Sequence, residues 1–456
     1  MATAPPDLPG LPGGSANDSP LDRALSLMLA DEREAALRWS AAVVEQEDAV
    51  PSALILTCRL LADFGRTEAA TEGLRLGLER AIDSGNLPLA VAAIADLRKL
   101  SVAVEDDVDA VAEAFCAGSS RLTEAAPPPP PLPSFNKFQP LSSFLTGPAL
   151  LSKTTQIVHA AKSRYEKNGA AESLVAPLPL FSSLEKDGLR ALITAFEMIT
   201  VPAGKHVITQ GEEGAEAYIV ARGELEVRRT IDDGDDKEST MTLARLTNGA
   251  LFGEMALLSR APRAASVVAC RPSILLVARR DALEAVAEKR PEVGVELAAH
   301  CRRRMVANLV RTSPVLIGVK PSERPALVER FETKVYEKGE KLITEGRDAA
   351  GLHLVASGEV AVVGHEGGEP FVISTLGAGD VVGEVALVLR RKANADVVAV
   401  HPTVTLYLPR EEFVSLVRDH PAILQSLYLL AVERDEETSS VMSVSSVNIA
   451  EDYVLV

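Results

Sequence analysis

Positive charge and aromatic side chains are both scarce in this chain of 456 residues. Lysine and arginine total 47 against 64 aspartates and glutamates, so the formal net charge is −17. Because nucleic acids and anionic membranes are bound by clustered positive charge, we expect the chain to bind neither. Any anionic ligand must instead be held by a local, organised site. Aromatic residues make up only 4% of the chain, so alanine, valine and leucine must fill its cores.

Cysteine pairs, long apolar runs and a leader-like N-terminus are also missing. The cysteines show no CxxC spacing, which argues against a zinc site or a disulfide framework. We expect all of them to be small buried residues in a reducing compartment. No apolar run approaches the roughly 18 residues that span a bilayer, and the first residues have neither a basic nor an apolar segment. A cytoplasmic protein is the expectation. The cysteines are Cys58, Cys116, Cys270 and Cys301.

Motifs of enzyme catalysis are absent from the sequence as well. The seven histidines form no HExxH or other paired metal spacing, and there is neither a G-x-S-x-G nor a P-loop lysine motif. We therefore predict that the chain is not an enzyme and carries no cofactor.

Apolar residues recur at helical spacing from about residue 21 to residue 118. The pattern breaks at Pro51 and at two glycines further on, as helix ends should. Comparable helices begin near Asp31, Arg66 and Glu105, a period in the mid-thirties that resembles tetratricopeptide-type helical repeats. We predict a solenoid-like α-helical domain over residues 21–118 that binds an unidentified partner protein.

Three other segments have the composition of connections and ends. Residues 1–20 are rich in proline, glycine and small polar residues, which predicts disorder. Residues 119–170 contain the run Pro127–Pro131, which we interpret as a semi-rigid linker followed by a connecting helix. Residues 438–456 are predicted to form a C-terminal tail.

An internal repeat of short β-branched strands separated by glycines begins at about Pro179. The offset between the copies is 135 residues at first and 130 after a loop, where an insertion at a hairpin tip is physically sensible. The sequence predicts an α+β chain with two tandem β-rolls and flanking helices, at residues 171–310 and 311–437. The matched pairs include Gly204 and Gly339, Ile208 and Ile343, Gly211 and Gly346, Gly223 and Gly358, Gly253 and Gly383, Glu254 and Glu384, and Val267 and Val397.

Residues 252–269 of the first copy, FGEMALLSRAPRAASVVA, have the parts of an anion site. A glycine allows close backbone approach, and the start of a short helix offers free N–H groups. Arg263 has a planar guanidinium that can hold two phosphate oxygens. Glu254 is an acceptor-only carboxylate suited to a sugar hydroxyl. The predicted ligand-binding residues are Gly253, Glu254, Met255, Ala256, Arg263, Ala264, Ala265 and Ser266.

This segment closely resembles the phosphate-binding cassette of cyclic nucleotide-binding domains, as found in protein kinase A regulatory subunits and cyclic-AMP receptor proteins. The resemblance extends over about residues 179–437 in two copies. It implies that Arg263 binds the cyclic phosphate and Glu254 the ribose 2′-hydroxyl, with backbone groups around both. In the family, a threonine after the arginine favours cyclic GMP. Ala264 therefore implies cyclic AMP as the ligand, with cyclic GMP as the alternative.

The second copy departs from the cassette pattern. Glu384 persists, but Ala393 stands at the position of Arg263, Asn394 at that of Ala264 and Asp396 at that of Ser266. An anion site that loses its guanidinium and gains a carboxylate should reject a cyclic phosphate. We therefore predict a non-binding domain that packs on the first copy, with the nearby run Arg390–Lys392 as solvated loop charges. It is also a candidate source of a cap over the base. Tyr336 and Phe331 are candidates for this cap, and core packing is the favoured alternative for both.

The resemblance implies a non-enzymatic sensor in which cyclic-AMP binding moves the helix at about residues 291–310 and modulates a partner. A ligand-blind scaffold is the alternative. A kinase-inhibiting regulatory subunit ranks lower, because the basic residues between Lys153 and Lys167 contain no Arg-Arg-x-Ser/Ala arrangement. A transcription regulator would need a basic helix-turn-helix after a roll, and we find none in the sequence.

Overall fold

The computed structural model describes residues 19–46, 50–124, 138–168, 173–232, 238–258, 262–313, 329–366 and 369–452, with the single residues 320, 323 and 327. The predictions for residues 1–18 and for the proline run lie outside these residues. Among the described residues, no helix combines the length and the apolar character needed to cross a bilayer. Within the same ranges, no group of three or more histidine, cysteine, aspartate or glutamate side chains could hold a metal ion.

The described residues from 20 to 115 form a series of α-helices, and each helix packs against the next. The predicted breaks at Pro51, Gly65 and Gly85 are confirmed: a helix begins at Pro51, and Gly65 and Gly85 follow helix ends with φ of 76° and 71°. Asp31, with φ 62°, separates two further helices. Another helix, α7 (Gly147–Asn168), packs across α2, α3 and α4. The likeness to tetratricopeptide repeats stays a prediction. The helices are α1 (Pro20–Leu29), α2 (Arg33–Gln46), α3 (Pro51–Asp63), α4 (Thr67–Asp83), α5 (Leu87–Lys99) and α6 (Glu105–Phe115).

The first roll consists of two four-stranded antiparallel sheets, in the orders β1-β8-β3-β6 and β2-β7-β4-β5. Helix α8 (Lys186–Thr194) precedes it, the short helix α9 (Met255–Leu258) follows β6, and α10 (Arg280–Lys289) and α11 (Pro291–Thr312) come after it. The strands are β1 (Glu197–Val201), β2 (His206–Ile208), β3 (Glu216–Arg222), β4 (Leu225–Asp232), β5 (Glu238–Leu246), β6 (Leu251–Phe252), β7 (Ser266–Ala269) and β8 (Ser273–Arg279).

The second roll repeats this arrangement, with the sheet orders β9-β16-β11-β14 and β10-β15-β12-β13. Helix α12 (Glu384–Val388) matches α9, and α13 (Arg410–Asp419) and α14 (Pro421–Asp452) match α10 and α11. Helix α14 continues to Asp452, so the described part of the predicted tail, residues 438–452, is helical. The strands are β9 (Glu332–Tyr336), β10 (Lys341–Ile343), β11 (Gly351–Ser357), β12 (Glu359–Glu366), β13 (Glu369–Gly377), β14 (Val381–Val382), β15 (Asp396–Ala399) and β16 (Thr403–Pro409).

The predicted duplication and the α+β fold are thus confirmed, and one glycine pair shows why the repeat is visible in sequence. Gly223 has φ 123° and Gly358 has φ 90°, a region that side chains rarely adopt. A Cβ on either glycine would also collide with the side chain of Ser273 or Thr403, which begin matching strands. Both copies therefore require glycine at the same junction.

The N-terminal helices share one continuous core with the outer face of the first roll. Along β3, Ala217, Ile219 and Ala221 face this core, whereas Val220 faces the interior of the roll. Helix α5 packs against β1, β3 and β8, so the sheet is buried on both faces.

One cysteine prediction is wrong: Cys58, Cys116 and Cys301 are buried, but Cys270 is exposed, because it follows the last residue of β7 in the turn before β8.

Candidate functional site

A cavity of about 380 Å³ lies against the predicted cassette of the first roll. Most of the predicted residues line it, including Glu254 and Arg263. Ser266 does not line it: its hydroxyl accepts a hydrogen bond from the backbone N–H of Gln210 at 2.9 Å and holds the end of β2. The side chain of Ala256 lies outside the described residues. The cavity is lined by Ile208, Val227, Arg229, Leu243–Leu246, Phe252–Met255, Pro262–Ala265, Val267, Arg304, Met305, Leu309, Ala356, Ser357, Ala378 and Gly379.

The guanidinium of Arg263 is buried in the wall of this cavity, with 9% of the side chain exposed. Its Nη1 donates to the carbonyl oxygen of Gly253 and its Nη2 to that of Glu216, both at 2.9 Å. The carboxylate of Glu216 lies 3.6 Å from Nη2. Burial lowers the pKa of the Arg263 guanidinium, and the charges of Glu216 and Glu254 oppose this change. An anion in the cavity would stabilise this buried cation.

Gly214 provides the space that the Arg263 side chain occupies. A Cβ on this glycine would collide with the guanidinium. The matching residue of the second roll is Ala349, which is buried, and there the arginine is replaced by Ala393. The glycine is therefore present in the copy that has the arginine and absent from the copy that lacks it.

Glu254 is 4% exposed, and its carboxylate is bound by a residue that the sequence analysis did not identify. Arg304, on helix α11, donates from Nε to Oε1 of Glu254 at 2.9 Å. The second roll contains the same pair, since Arg434 on α14 donates from Nη1 to Oε1 of Glu384 at 2.8 Å. The equal glutamate-to-arginine spacing in the two copies was a signal that could have revealed Arg304.

The charge of the cavity is opposite to that of the whole chain. Among the described lining residues, four arginines stand against one glutamate, Glu254. Two of these arginines also have partners at the rim: Arg229 donates to the carbonyl oxygen of Ala378 at 3.2 Å, and Arg245 pairs with Glu224 at 2.9 Å. The lining therefore has more cationic than anionic side chains, although the net charge of the whole chain is −17.

The second cassette keeps the backbone geometry of the first but not its cavity. The N–H of Gly346 donates to the carbonyl oxygen of Ala393 at 2.8 Å, as the N–H of Gly211 does to that of Arg263 at 2.9 Å. The cavity here is about 60 Å³. We expected Asp396 to add negative charge to this site, and that was wrong. Its carboxylate is outside the cavity, where it accepts from Lys341 at 2.6 Å and from the N–H of Glu345 at 2.8 Å.

Neither candidate for a cap lines the first cavity, and for Phe331 the core-packing alternative is correct. Phe331 is 1% exposed in the core that contains the end of α11. The ring of Tyr336 packs edge-on to His353 at a centroid distance of 5.9 Å. The second roll does line the cavity, but through the small residues Ala356, Ser357, Ala378 and Gly379.

Comparison with known proteins agrees with the duplicated architecture. The family model for the cyclic nucleotide-binding domain matches residues 198–290 and 333–420. The chain is 34% identical over 220 residues to a cAMP-dependent protein kinase regulatory subunit of Yarrowia lipolytica, covering 48% of this chain and 54% of the relative. It is 31% identical over 227 residues to the type II regulatory subunit of Drosophila melanogaster, covering 50% and 56%. The matches thus span little more than half the length of these relatives.

Solved structures also match part of the chain. The regulatory domain of Toxoplasma gondii PKA with cAMP is 27% identical, and the match covers 56% of this chain and 92% of that one, with a TM-score of 0.27. The cyclic nucleotide-binding domain from Methylobacillus flagellatus is 27% identical, covering 26% of this chain and 64% of that one, with a TM-score of 0.24.

Proposed function

We propose that this chain, which carries two cyclic nucleotide-binding domains in tandem and is related to kinase regulatory subunits, senses cyclic AMP through the first domain and transmits the signal to a partner protein. The observation that carries the proposal is the buried guanidinium of Arg263 in the wall of a cavity whose lining is net positive. The carboxylate of Glu216 lies 3.6 Å from this cation, and the charge of Glu254 also acts on it.

The parts of a cyclic nucleotide match the parts of the cavity. The single negative charge of the cyclic phosphate pairs with Arg263 and with the backbone N–H groups of Ala264 and Ala265. The ribose 2′-hydroxyl donates to Glu254, whose carboxylate can accept more than one hydrogen bond. The volume of about 380 Å³ suits a small ligand, since such pockets typically measure roughly 300–1,000 Å³.

Glu254 joins ligand binding to the position of helix α11. The carboxylate that accepts from the ribose is the one that Arg304 holds at 2.9 Å. A ligand that changes the strength of this contact shifts the equilibrium between positions of α11, by no more than its differential affinity for them. Because α1–α6 share a core with the same roll, they are the part of the chain best placed to contact the partner.

Regulation of a kinase is a stronger candidate function than the sequence motifs alone suggested, because the matched relatives are named regulatory subunits of cAMP-dependent protein kinase. The run Arg390–Ala393 has the Arg-Arg-x-Ala arrangement of a kinase-inhibiting segment, but it is not available to a kinase. Ala393 is 7% exposed, and its N–H donates to the carbonyl oxygen of Arg347 at 2.9 Å inside the second roll. Co-purification with a kinase catalytic subunit, and its release by cyclic AMP, would identify this partner.

Titration calorimetry of the full chain tests the binding proposal. We expect one site per chain that binds cyclic AMP more tightly than cyclic GMP. Adenosine, which lacks the phosphate, should bind at least about 10-fold more weakly, because it forms no charge-assisted hydrogen bonds to Arg263. If neither cyclic nucleotide releases or absorbs heat, the scaffold alternative replaces the sensor.

Hydrogen exchange of α11 tests the coupling separately. Cyclic AMP should change the protection of residues 295–310 in the parent chain, and Arg304→Met should remove this change. The matched control is Arg303→Met, because the neighbouring Arg303 side chain is 52% exposed and pairs only loosely with Glu296 at 3.8 Å. An unchanged response in Arg304→Met would show that the signal does not pass through Glu254.

A further inference from the structure

Helices α11 and α14 are equivalent, and each is tied to its own cassette by an arginine and a glutamate. Arg304 binds Glu254 in the first roll, and Arg434 binds Glu384 in the second. Arg434 also donates to the carbonyl oxygen of Val381. The contact between arginine and glutamate is thus common to both copies. It does not explain why the first cavity is about 380 Å³ and the second about 60 Å³.

The residue after the arginine differs between the two helices. In α11 it is Met305, an apolar side chain that is 2% exposed and lines the first cavity. In α14 it is Asp435, whose carboxylate accepts from Nδ2 of Asn394 at 3.1 Å and forms an ion pair with Arg391. Arg391 was predicted to be a solvated loop charge and is instead a partner of α14. Asn394 occupies the position of Ala264, which lines the cavity of the first roll.

We infer that the carboxylate of Asp435 is an internal anion that takes the place of a ligand on the second cassette and keeps α14 closed on it. The inference rests on the proposed function in one respect: the second cassette is compared with the first, which we propose binds cyclic AMP. A carboxylate on a neighbouring helix of the same chain has a high effective concentration at its partner loop. The ion pair with Arg391 and the hydrogen bond that the carboxylate accepts from Asn394 hold it there, and hydrogen bonds to an ionised acceptor are stronger than those between neutral groups.

The rest of the second site also excludes a free anion. Its cavity of about 60 Å³ is lined by the carboxylates of Glu384 and Glu437 and, among the described lining residues, by the single cation Arg434. Glu384 is 2% exposed, so its charge is held close to any ligand that enters. An added phosphate would meet these two carboxylates without an arginine at the position of Ala393. Only α11 is then free to respond to a ligand.

Hydrogen exchange of the parent chain and two variants tests the closure without any ligand. In Asp435→Ala, amides of residues 430–440 should exchange about 10-fold faster or more, because hydrogen bonds to a charged group are lost. Glu436→Ala is the matched control, since the neighbouring Glu436 is exposed and should leave the exchange unchanged. Equal exchange in Asp435→Ala and the parent would overturn the inference.

Calorimetry with cyclic AMP tests the exclusion. A variant with Ala349→Gly and Ala393→Arg restores the space and the arginine of the first site and keeps Asn394, the partner of Asp435; it should still bind one ligand while Asp435 is present. Adding Asp435→Met should raise the stoichiometry to two. A second site in the first variant, or none in the second, would overturn the role of Asp435. Loss of the first site's heat in the parent would refute the proposed function and leave the exchange result standing.

Discussion

Asp22, in the first helix of the chain, accepts a hydrogen bond at 2.6 Å from Arg222, which ends strand β3 of the first roll. The carboxylate also accepts from Nε of Arg271 at 2.8 Å, and its residue is only 2% exposed. Burial by itself would raise the pKa of the Asp22 carboxyl, but the charges and hydrogen bonds of the two arginines outweigh burial and lower it. The helical region is therefore joined to the roll by a buried ion pair as well as by apolar packing.

Asp22→Asn should weaken this junction, because two guanidinium groups lose their shared counter-charge. Removing one partner of a buried pair costs roughly 3 kcal/mol of unfolding free energy. Denaturant unfolding at neutral pH would measure the loss. Asp31→Asn is the control: Asp31 is 80% exposed beside Arg33, and an exposed pair contributes at most about 1 kcal/mol. Equal losses in the two variants would contradict a special role for Asp22.

Arg263→Lys should weaken cyclic-AMP binding by about 10- to 100-fold, because an ammonium group cannot reproduce the two-pronged guanidinium contact. The unfolding curve should stay close to that of the parent, since the charge is retained. Calorimetry measures the affinity, and Arg279→Lys is the control because Arg279 is 61% exposed at the end of β8. Retained affinity in Arg263→Lys would refute the role assigned to Arg263.

Ala264→Thr should improve cyclic-GMP binding relative to cyclic AMP by about 2- to 10-fold, the effect of one added neutral hydrogen bond. Ala264 is exposed at the cavity, so the larger side chain does not disturb a packed core. The matched control is Ala264→Val, which has the shape of threonine without the hydroxyl. If both variants change the ratio of the two dissociation constants equally, a hydrogen bond from the threonine hydroxyl is not what distinguishes cyclic GMP from cyclic AMP.

His300→Leu should reduce the pH dependence of stability. His300 is 7% exposed on α11, and its Nε2 has no hydrogen-bond partner among the described residues. Burial, and then the positive charges of Arg304 and Arg303, lower its pKa to about 4. The unfolded chain therefore takes up a proton below about pH 6.5 that the folded chain does not, so stability falls as the pH drops from there toward 4.

The measurement is the slope of unfolding free energy against pH between about 4.5 and 6. In His300→Leu this slope should be smaller by up to about 1.4 kcal/mol per pH unit, the contribution of one proton. The same slope in the variant and the parent would show that His300 does not remain neutral in the folded chain.

Much of the fold and the centre of the site were predictable because they depend on local rules. Glycines such as Gly223 and Gly358 are required by backbone conformation and by close neighbours, so the duplication is visible at fixed offsets. The helix ends at Gly65 and Gly85 follow from the same rule. The cassette residues Glu254 and Arg263 are close in sequence, and both line the same cavity.

What escaped prediction depends on contacts between distant parts of the chain. Tyr336 and Phe331 were considered for a cap because of their residue type, but their positions are set by the second roll's own packing. Cys270 was expected to be buried and is exposed in a turn. Asp396 was expected to repel a ligand, but Lys341 on the neighbouring strand neutralises it.

The amino-acid sequence alone determined that two related rolls follow a helical region and that only the first has an arginine for an anion. These properties can be recognised from residue types at short spacings, because local sterics require the glycines and an anion requires the arginine. Only the tertiary structure decided which side chains complete each site: Arg304 on Glu254, and Asp435 on the second cassette. Both residues lie on helices about 40 or more residues beyond the cassettes, and packing against the whole roll, not any local rule, sets which of their side chains point inward.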